Sequence, residues 1–247
     1  MSSPAPTDSP AISVVFPFYN EEPHLEQLTR ELREALETHD LDAEIIAVDD
    51  GSTDGGRELM QTVARRDPRF RILKHDRNRG QAAALVSGFA AARAPIVVTL
   101  DADLQNLPSD IPRLLEALEG CDLVSGVRVG RQDTWSKRLA SKIANTVRKW
   151  ILQDGVHDVG CSLKAYRTEF LVDLPPFEGL HRFLPALLGA RGARIREVPV
   201  GHRARLHGTS HYDIWGRLNR GVCDLYRVRK MIRLRSRSRS APRGRGR

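Results

Sequence analysis

The sequence predicts an α/β domain built on a mostly parallel central sheet flanked by helices. Two observations predict it. Short apolar runs alternate with stretches of helical periodicity through the first half of the chain, and acidic residues stand at the ends of these runs. Such alternation implies βαβ units, whose sheets bind ligands in the crevice beyond the carboxyl ends of the strands.

The elements follow in order. AISVVFP (11–17) is a β-rich run ending at Pro17, and residues 21–38 place Leu25, Leu28, Leu32, Ala35 and Leu36 at helical spacing. AEIIAVDD (43–50) is a second strand running into carboxylates, and GSTDGG (51–56) is a turn leading into a helix to about Arg66. FRILKH (70–75) is a third strand, the Ala-rich stretch 80–93 a helix, and APIVVTLDAD (94–103) a fourth strand ending in two Asp. A helix over 110–119 and a strand over 121–128 complete the regular part. Beyond it, a helix is expected over 135–152, a loop entering a strand over 155–167, a short helix over 180–190 and a strand over 193–200. The segment 201–213 reads as a loop rich in His and Arg.

Composition narrows the function classes. With 247 residues, 40% hydrophobic and 28% charged, the body is an ordinary globular chain. The formal charge of +8 belongs to the end of the chain: residues 227–247 hold nine Arg, one Lys and no acid, leaving residues 1–226 at about −2. A basic tail points to an anionic partner. Cys121, Cys161 and Cys223 have no zinc or disulfide spacing and read as reduced thiols. The N-terminal MSSPAPTDSP lacks a signal pattern, and no apolar run reaches the roughly 18–20 residues of a membrane span. The expected location is cytoplasmic, peripheral at the cytoplasmic face of the membrane.

The expected organisation has four parts: a disordered lead at 1–10, a globular domain at 11–213, a basic amphipathic helix at 214–235 and a disordered Arg/Ser tail at 236–247. In the helix, Ile214, Leu218, Val222, Leu225, Val228 and Ile232 form an apolar stripe bordered by Arg and Lys, which suits a membrane interface. Packing on the domain's own core is an equal alternative for 214–225; the interface is preferred for 226–235.

Three strand ends converge on one acidic rim: Tyr19, Asn20 and Glu21 after the first, Asp49 and Asp50 after the second, Asp101 and Asp103 after the fourth. Two carboxylates one residue apart can share a hard divalent ion such as Mg²⁺ or Mn²⁺, with the Gln105 amide oxygen as a further ligand. Of Asp49 and Asp50, one carboxylate can accept hydrogen bonds from a nucleobase and the other support a ribose or the metal; the alternative is that both cap the next helix. G-x-G-x-x-G is absent after the first strand, which disfavours a dinucleotide fold.

Pro17-Phe18-Tyr19-Asn20-Glu21, Val48-Asp49-Asp50-Gly51-Ser52-Thr53-Asp54, Asn78-Arg79-Gly80-Gln81 and Asp101-Ala102-Asp103-Leu104-Gln105-Asn106 occur in the order seen in family 2 glycosyltransferases of the GT-A (nucleotide-diphospho-sugar transferase) fold. The chain resembles their polyprenyl-phosphate branch, which includes dolichyl-phosphate mannose synthases. Arg131-Gln132-Asp133-Thr134-Trp135, Ala140-Ser141-Lys142 and Gly160 to Arg167 make it similar to undecaprenyl-phosphate formamido-arabinose transferases. The resemblance spans about residues 11–230.

It implies roles by position. Pro17, Tyr19, Glu21 and Asp50 would line a nucleotide pocket; Asp101 would lie near ribose and diphosphate; Asp103 and Gln105 would ligate Mg²⁺ or Mn²⁺. Counterparts of Arg128 and of the loop Arg residues face a lipid phosphate, which marks Arg128, Arg131, Arg203, Arg205 and Ser210 as acceptor candidates. The family often has Lys where this chain has His211. Asp158 matches a position proposed as a base in relatives. A lipid monophosphate is already largely anionic near neutral pH, so Asp158 could instead orient sugar hydroxyls or position an Arg. Direct inverting displacement is the family's expected course. The implied partners are a nucleotide-sugar donor, a polyprenyl-phosphate acceptor, and an anionic membrane surface or a membrane-embedded subunit; a homo-oligomer stays open. Two other readings compete: a polysaccharide or other glycan acceptor, and nucleic-acid binding through the tail. The second lacks any RNA-binding aromatic motif.

Overall fold

The computed structural model describes residues 9–129, 146, 148–152, 155–174, 177–203 and 224–233. Among them, the strands are β1 (Ile12–Phe18), β2 (Ala43–Asp49), β3 (Phe70–Lys74), β4 (Ile96–Thr99), β5 (Leu123–Arg128), β6 (Lys164–Arg167) and β7 (Ile195–Val200). The helices are α1 (Glu22–Thr38), α2 (Gly56–Arg66), α3 (Gln81–Ala91), α4 (Ile111–Ala117) and α5 (Leu180–Gly189), with further helical turns at 148–152 and 224–233.

The strands form one sheet in the order β3-β2-β1-β4-β6-β5-β7. β1 and β2 are buried at every position, as expected of central parallel strands covered on both faces. Alternate side chains of β1 feed opposite layers. Val14 and Phe16 join Leu25, Leu28 and Leu32 of α1, Met60 of α2 and Leu114 of α4. Val15 joins Ala84, Leu85 and Phe89 of α3 and Leu184 and Leu188 of α5.

The sheet is mostly parallel, as read; one strand is the exception, and the end of β4 departs from the sequence reading. β6 runs antiparallel to both neighbours, while the other pairings are parallel. β4 ends at Thr99, short of the expected residue 103, because β6 accompanies it only from Ile96 to Thr99. Asp101 and Asp103 therefore lie on an irregular loop just past the strand.

The helical turns at 224–233 pack on the domain. Leu225 and Val228 are buried, and Met231 and Ile232 pack beside them on the cluster that includes Phe177 and Phe183. The apolar stripe preferred for a membrane interface is covered by the domain's own core in this stretch, and Tyr226, Arg227, Lys230 and Arg233 face outward. The lead at 1–8, most of the helix expected over 135–152, and residues 214–223 and 234–247 lie outside the described residues.

The β2–α2 turn depends on Gly51. Its φ is +79°, and a Cβ there would stand 2.5 Å from the carbonyl carbon of Arg77 and 2.7 Å from the Asn78 nitrogen. Gly51→Ala combines a strained φ with a backbone collision and is expected to cost about 2 kcal/mol or more. Denaturant unfolding checks this; an unchanged midpoint would mean that residues 77–78 do not pack on the turn.

Candidate active site

From β1 the chain steps outward to β2 and β3, then returns to place β4 on the other side of β1. That reversal is a topological switch point, where the crevice beyond the strand ends is open to a ligand. The ends of β1, β2 and β4 are adjacent, so the acidic rim read from the sequence is brought together in space.

The β1 and β2 ends are cross-braced. Asn20 has φ +54°, and its Oδ1 accepts the Thr53 N–H at 2.8 Å while its own N–H donates to the Ser52 hydroxyl at 3.1 Å. Glu22 and Asp54 brace reciprocally: the Glu22 N–H donates to Asp54 at 3.0 Å, and Glu22 accepts the Gly55 N–H at 2.9 Å. Pro17 is buried within β1, Tyr19 is exposed at the rim, and Glu21 contacts Nδ1 of His24 at 2.6 Å.

Asp49 and Asp50 are turned toward the protein. The Asp49 carboxylate is fully buried, accepting the Ser52 N–H at 2.8 Å and pairing with Arg57. Asp49 is thus engaged by its own turn and by Arg57 of α2, and it does not cap that helix's N-terminus. Asp50 accepts the N–H groups of Arg79 at 3.0 Å and Gly80 at 2.8 Å, and meets His75 Nδ1 at 2.7 Å. It fixes the Asn78–Gln81 motif, whose last residue opens α3.

Gln81 reaches the central feature. Its Nε2 donates to Asp101 Oδ1 at 2.7 Å, and the Ser162 hydroxyl bonds the same carboxyl group. Burial, reinforced by the charge of Asp103, pushes the Asp101 carboxyl up to about 6. Asp103 is buried and accepts the Gln105 N–H at 3.2 Å. Between them and Gln105 sits Leu104 with φ +61°, a left-handed conformation that costs a non-glycine residue energy and recurs at functional sites. The loop is tied down on two sides: Asn106 donates to the Ser162 hydroxyl at 2.6 Å, and the Arg203 N–H donates to the Gln105 carbonyl at 2.9 Å.

The basic candidates separate. Arg128 at the end of β5 grips Asp158 through Nε and Nη2, each 2.8 Å from a carboxylate oxygen. Gly160 makes room for this fork: a Cβ there would lie 2.8 Å from Arg128 Nη2. Arg203 instead donates from Nη1 to both carboxylate oxygens of Glu31 on α1, at 2.8 and 2.9 Å. Its side chain braces the domain on α1. Arg131, Arg205 and Ser210 lie outside the described residues.

Several participants were not read from the sequence. Ser162 links Asp101 to Asn106. Glu197 of β7 accepts the His157 N–H at 2.7 Å and the Asp158 N–H at 3.3 Å. Lys164 opens β6 with its ammonium buried. Gln81, Ser162 and Lys164 lay within quoted motifs, Asn78–Gln81 and Gly160–Arg167, without a role of their own being read for them.

Among the described residues, no three His, Cys, Asp or Glu side chains cluster as a metal cage. Two carboxylates beside an open crevice suit an ion that completes its shell with phosphate oxygens and water.

An α/β sheet with this switch point and this paired-carboxylate loop defines the class: a nucleotide-diphospho-sugar transferase fold of the GT-A type. The model for glycosyl transferase family 2 matches residues 13–174, and the chain belongs to that family. It is similar to the undecaprenyl-phosphate 4-deoxy-4-formamido-L-arabinose transferase of Aeromonas hydrophila, 40% identical over 218 residues, covering 86% of this chain and 66% of that protein. The namesake from Edwardsiella ictaluri is 37% identical over 211 residues, covering 84% of this chain and 65% of its own length. This chain thus spans just under two thirds of these relatives. Among solved structures, glucosyl-3-phosphoglycerate synthase from Mycobacterium tuberculosis, in complex with Mn²⁺, UDP and glucosyl-3-phosphoglycerate, superposes with a TM-score of 0.68 at 25% identity, covering 89% of this chain and 80% of that one. A mannosyltransferase from Pyrobaculum calidifontis, in complex with GDP-Man and Mn²⁺, shares the fold with a TM-score of 0.63 at 24% identity, covering 86% and 61%.

The raised Asp101 pKa has a stability consequence in metal-free protein. Between the unfolded value of 3.8 and about 6, the folded state holds more protons than the unfolded state, so this group's contribution falls as pH rises through that window. Asp101→Asn should flatten that part of the profile. Thermal melts of both proteins from pH 4 to 7 check it; parallel profiles would mean that Asp101 titrates normally.

Proposed function

We propose that this protein is a divalent-metal-dependent glycosyltransferase that moves a sugar from a nucleotide-diphosphate sugar, UDP-linked in preference to GDP-linked, to a polyprenyl phosphate at a membrane surface. The observation that carries this reading is the Asp101–Asp103 pair at the switch point of the sheet, with the Arg128–Asp158 fork on the other side of β6. The names of the relatives support the acceptor class, and the ligands of the M. tuberculosis structure support a UDP donor and Mn²⁺, with Mg²⁺ as the alternative.

Asp101 and Asp103, with the Gln105 amide, would hold the ion, which supplies charge to stabilise the departing diphosphate. Gln81 and Ser162 orient Asp101, and the Leu104 conformation sets the direction of Asp103. Tyr19 and the Asn20–Glu21 turn border the nucleotide side, with Asp50 shaping it through the Arg79–Gly80 backbone.

The bidentate ion pair supports a positioning role for Asp158 rather than that of a base. Both carboxylate oxygens engage Arg128, and a phosphate acceptor arrives already anionic. Arg128 then draws the acceptor phosphate toward the anomeric carbon, assisted by Arg131, Arg205 and Ser210. Catalysis rests on orientation and electrostatics, with inversion as the stereochemical course. No helix among the described residues is long and apolar enough to cross a membrane, so contact with lipid would be peripheral or through a partner subunit.

Purified protein with Mn²⁺, undecaprenyl phosphate in detergent and a panel of UDP- and GDP-sugars should yield a lipid-linked sugar by mass spectrometry, lost with EDTA. Hydrolysis of a nucleotide sugar without lipid product would keep the donor site and move the acceptor to a glycan. Among variants, Asp103→Ala is expected to lower turnover by about 10²–10³-fold or more, and Arg128→Ala by about 10²-fold through the acceptor step. Arg203→Ala, whose guanidinium is held by Glu31, should leave the KM for lipid nearly unchanged. A large rise in that KM would restore Arg203 to the acceptor site.

A further inference from the structure

Lys164 is the least expected side chain of the domain. It opens β6, sits opposite Thr99 of β4 and Ser125 of β5, and is 2% exposed. Burying an ammonium costs several kcal/mol unless its protons are taken up, and a direct carboxylate partner is the usual solution. Here the solution is different. Nζ donates to the carbonyl of Cys161 and, at 3.5 Å, to that of Val159, and no carboxylate lies within 4.0 Å of it among the described residues. Burial accordingly pulls its pKa down, against the attraction of Asp158 and Asp101.

The carbonyls that Lys164 grips belong to the segment that builds the candidate site. Asp158, one residue before Val159, pairs with Arg128; Ser162, one residue after Cys161, bonds Asp101 and Asn106. The same segment is held at its start by Glu197, which takes the N–H groups of His157 and Asp158. The segment is thus gripped by an anion at its N–H groups and a cation at its carbonyls. Among the described residues, Lys164 and Arg128 are the cations that act on Asp101, and of the two Arg128 is engaged by Asp158.

We infer that Lys164 is a positioning residue of the donor site: its ammonium fixes the 158–162 segment and acts as an internal counter-charge to Asp101. This rests on the metal-site reading above. A bound divalent ion and Lys164 would both relieve Asp101, so the two would oppose each other electrostatically. Removing the charge should tighten the metal while loosening the geometry.

Lys164→Met removes the charge and the donors, Lys164→Gln removes the charge but keeps two N–H donors, and Lys164→Arg keeps both. Mn²⁺ binding in the presence of UDP is followed by loss of the free-ion electron paramagnetic resonance signal, with Asp103→Ala as the site control and thermal melts for folding. Both neutral variants are expected to bind Mn²⁺ several-fold more tightly than the unmodified protein. Metal-dependent turnover should fall at least tenfold in Lys164→Met, less in Lys164→Gln, and return toward normal in Lys164→Arg. An unchanged Mn²⁺ affinity in whichever neutral variant folds would overturn the counter-charge role, since a merely structural lysine would lower the folded fraction without moving the affinity. Absence of Mn²⁺ binding by the unmodified protein, or full binding by Asp103→Ala, would instead remove the metal-site reading and the inference with it.

Discussion

Two carboxylates held within electrostatic reach of each other and away from bulk water are the feature around which the rest of this domain is arranged. Asp101 and Asp103 stand one residue apart just beyond β4, and burial first, then the charge of Asp103, raises the pKa of Asp101. Like charges in such a place are costly, and a protein retains them where a cation completes the set. Other features of the rim serve to keep them there. The left-handed Leu104 turns the chain between them and Gln105, Gln81 and Ser162 hold Asp101, and Asn106 and Arg203 pin the end of the loop.

The sheet explains why the loop sits where it does. β1 is flanked by β2 and β4, and the chain's reversal at that point leaves a crevice that no crossover among the described residues covers. β6, inserted antiparallel between β4 and β5, then brings the 158–162 segment to the same end of the sheet. One side of the crevice is therefore acidic and the other carries the Arg128–Asp158 fork. This arrangement fits the proposed reaction, in which a metal-bound diphosphate would leave on one side and an anionic acceptor enter from the other.

Much of this was legible in the sequence, for definite reasons. β1 and β2 are buried on both faces and read as unbroken apolar runs, and α1 shows its buried Leu25, Leu28 and Leu32 at helical spacing. The carboxylates stood out because strand ends are where such sheets place them. What was not legible depends on contacts distant in sequence. The end of β4 at Thr99 is set by its pairing with β6, more than sixty residues further on. Asp49 and Asp50 are equally acidic and adjacent, yet one belongs to its turn and the other to the Arg79–Gly80 backbone. An amphipathic stripe such as Leu225–Ile232 has the same periodicity whether lipid or a domain core covers it. A lysine normally reads as solvent-exposed, so nothing in the sequence marked Lys164 as buried.

The acidic pair is tested most directly by diffraction from crystals grown with Mn²⁺ and UDP, recorded at the manganese absorption edge. The expected result is an anomalous peak in contact with the Asp103 carboxylate, just beyond the end of β4, with the diphosphate completing its shell. A nucleotide bound at the rim with no metal beside Asp101 or Asp103, or a metal held elsewhere in the domain, would contradict the assignment.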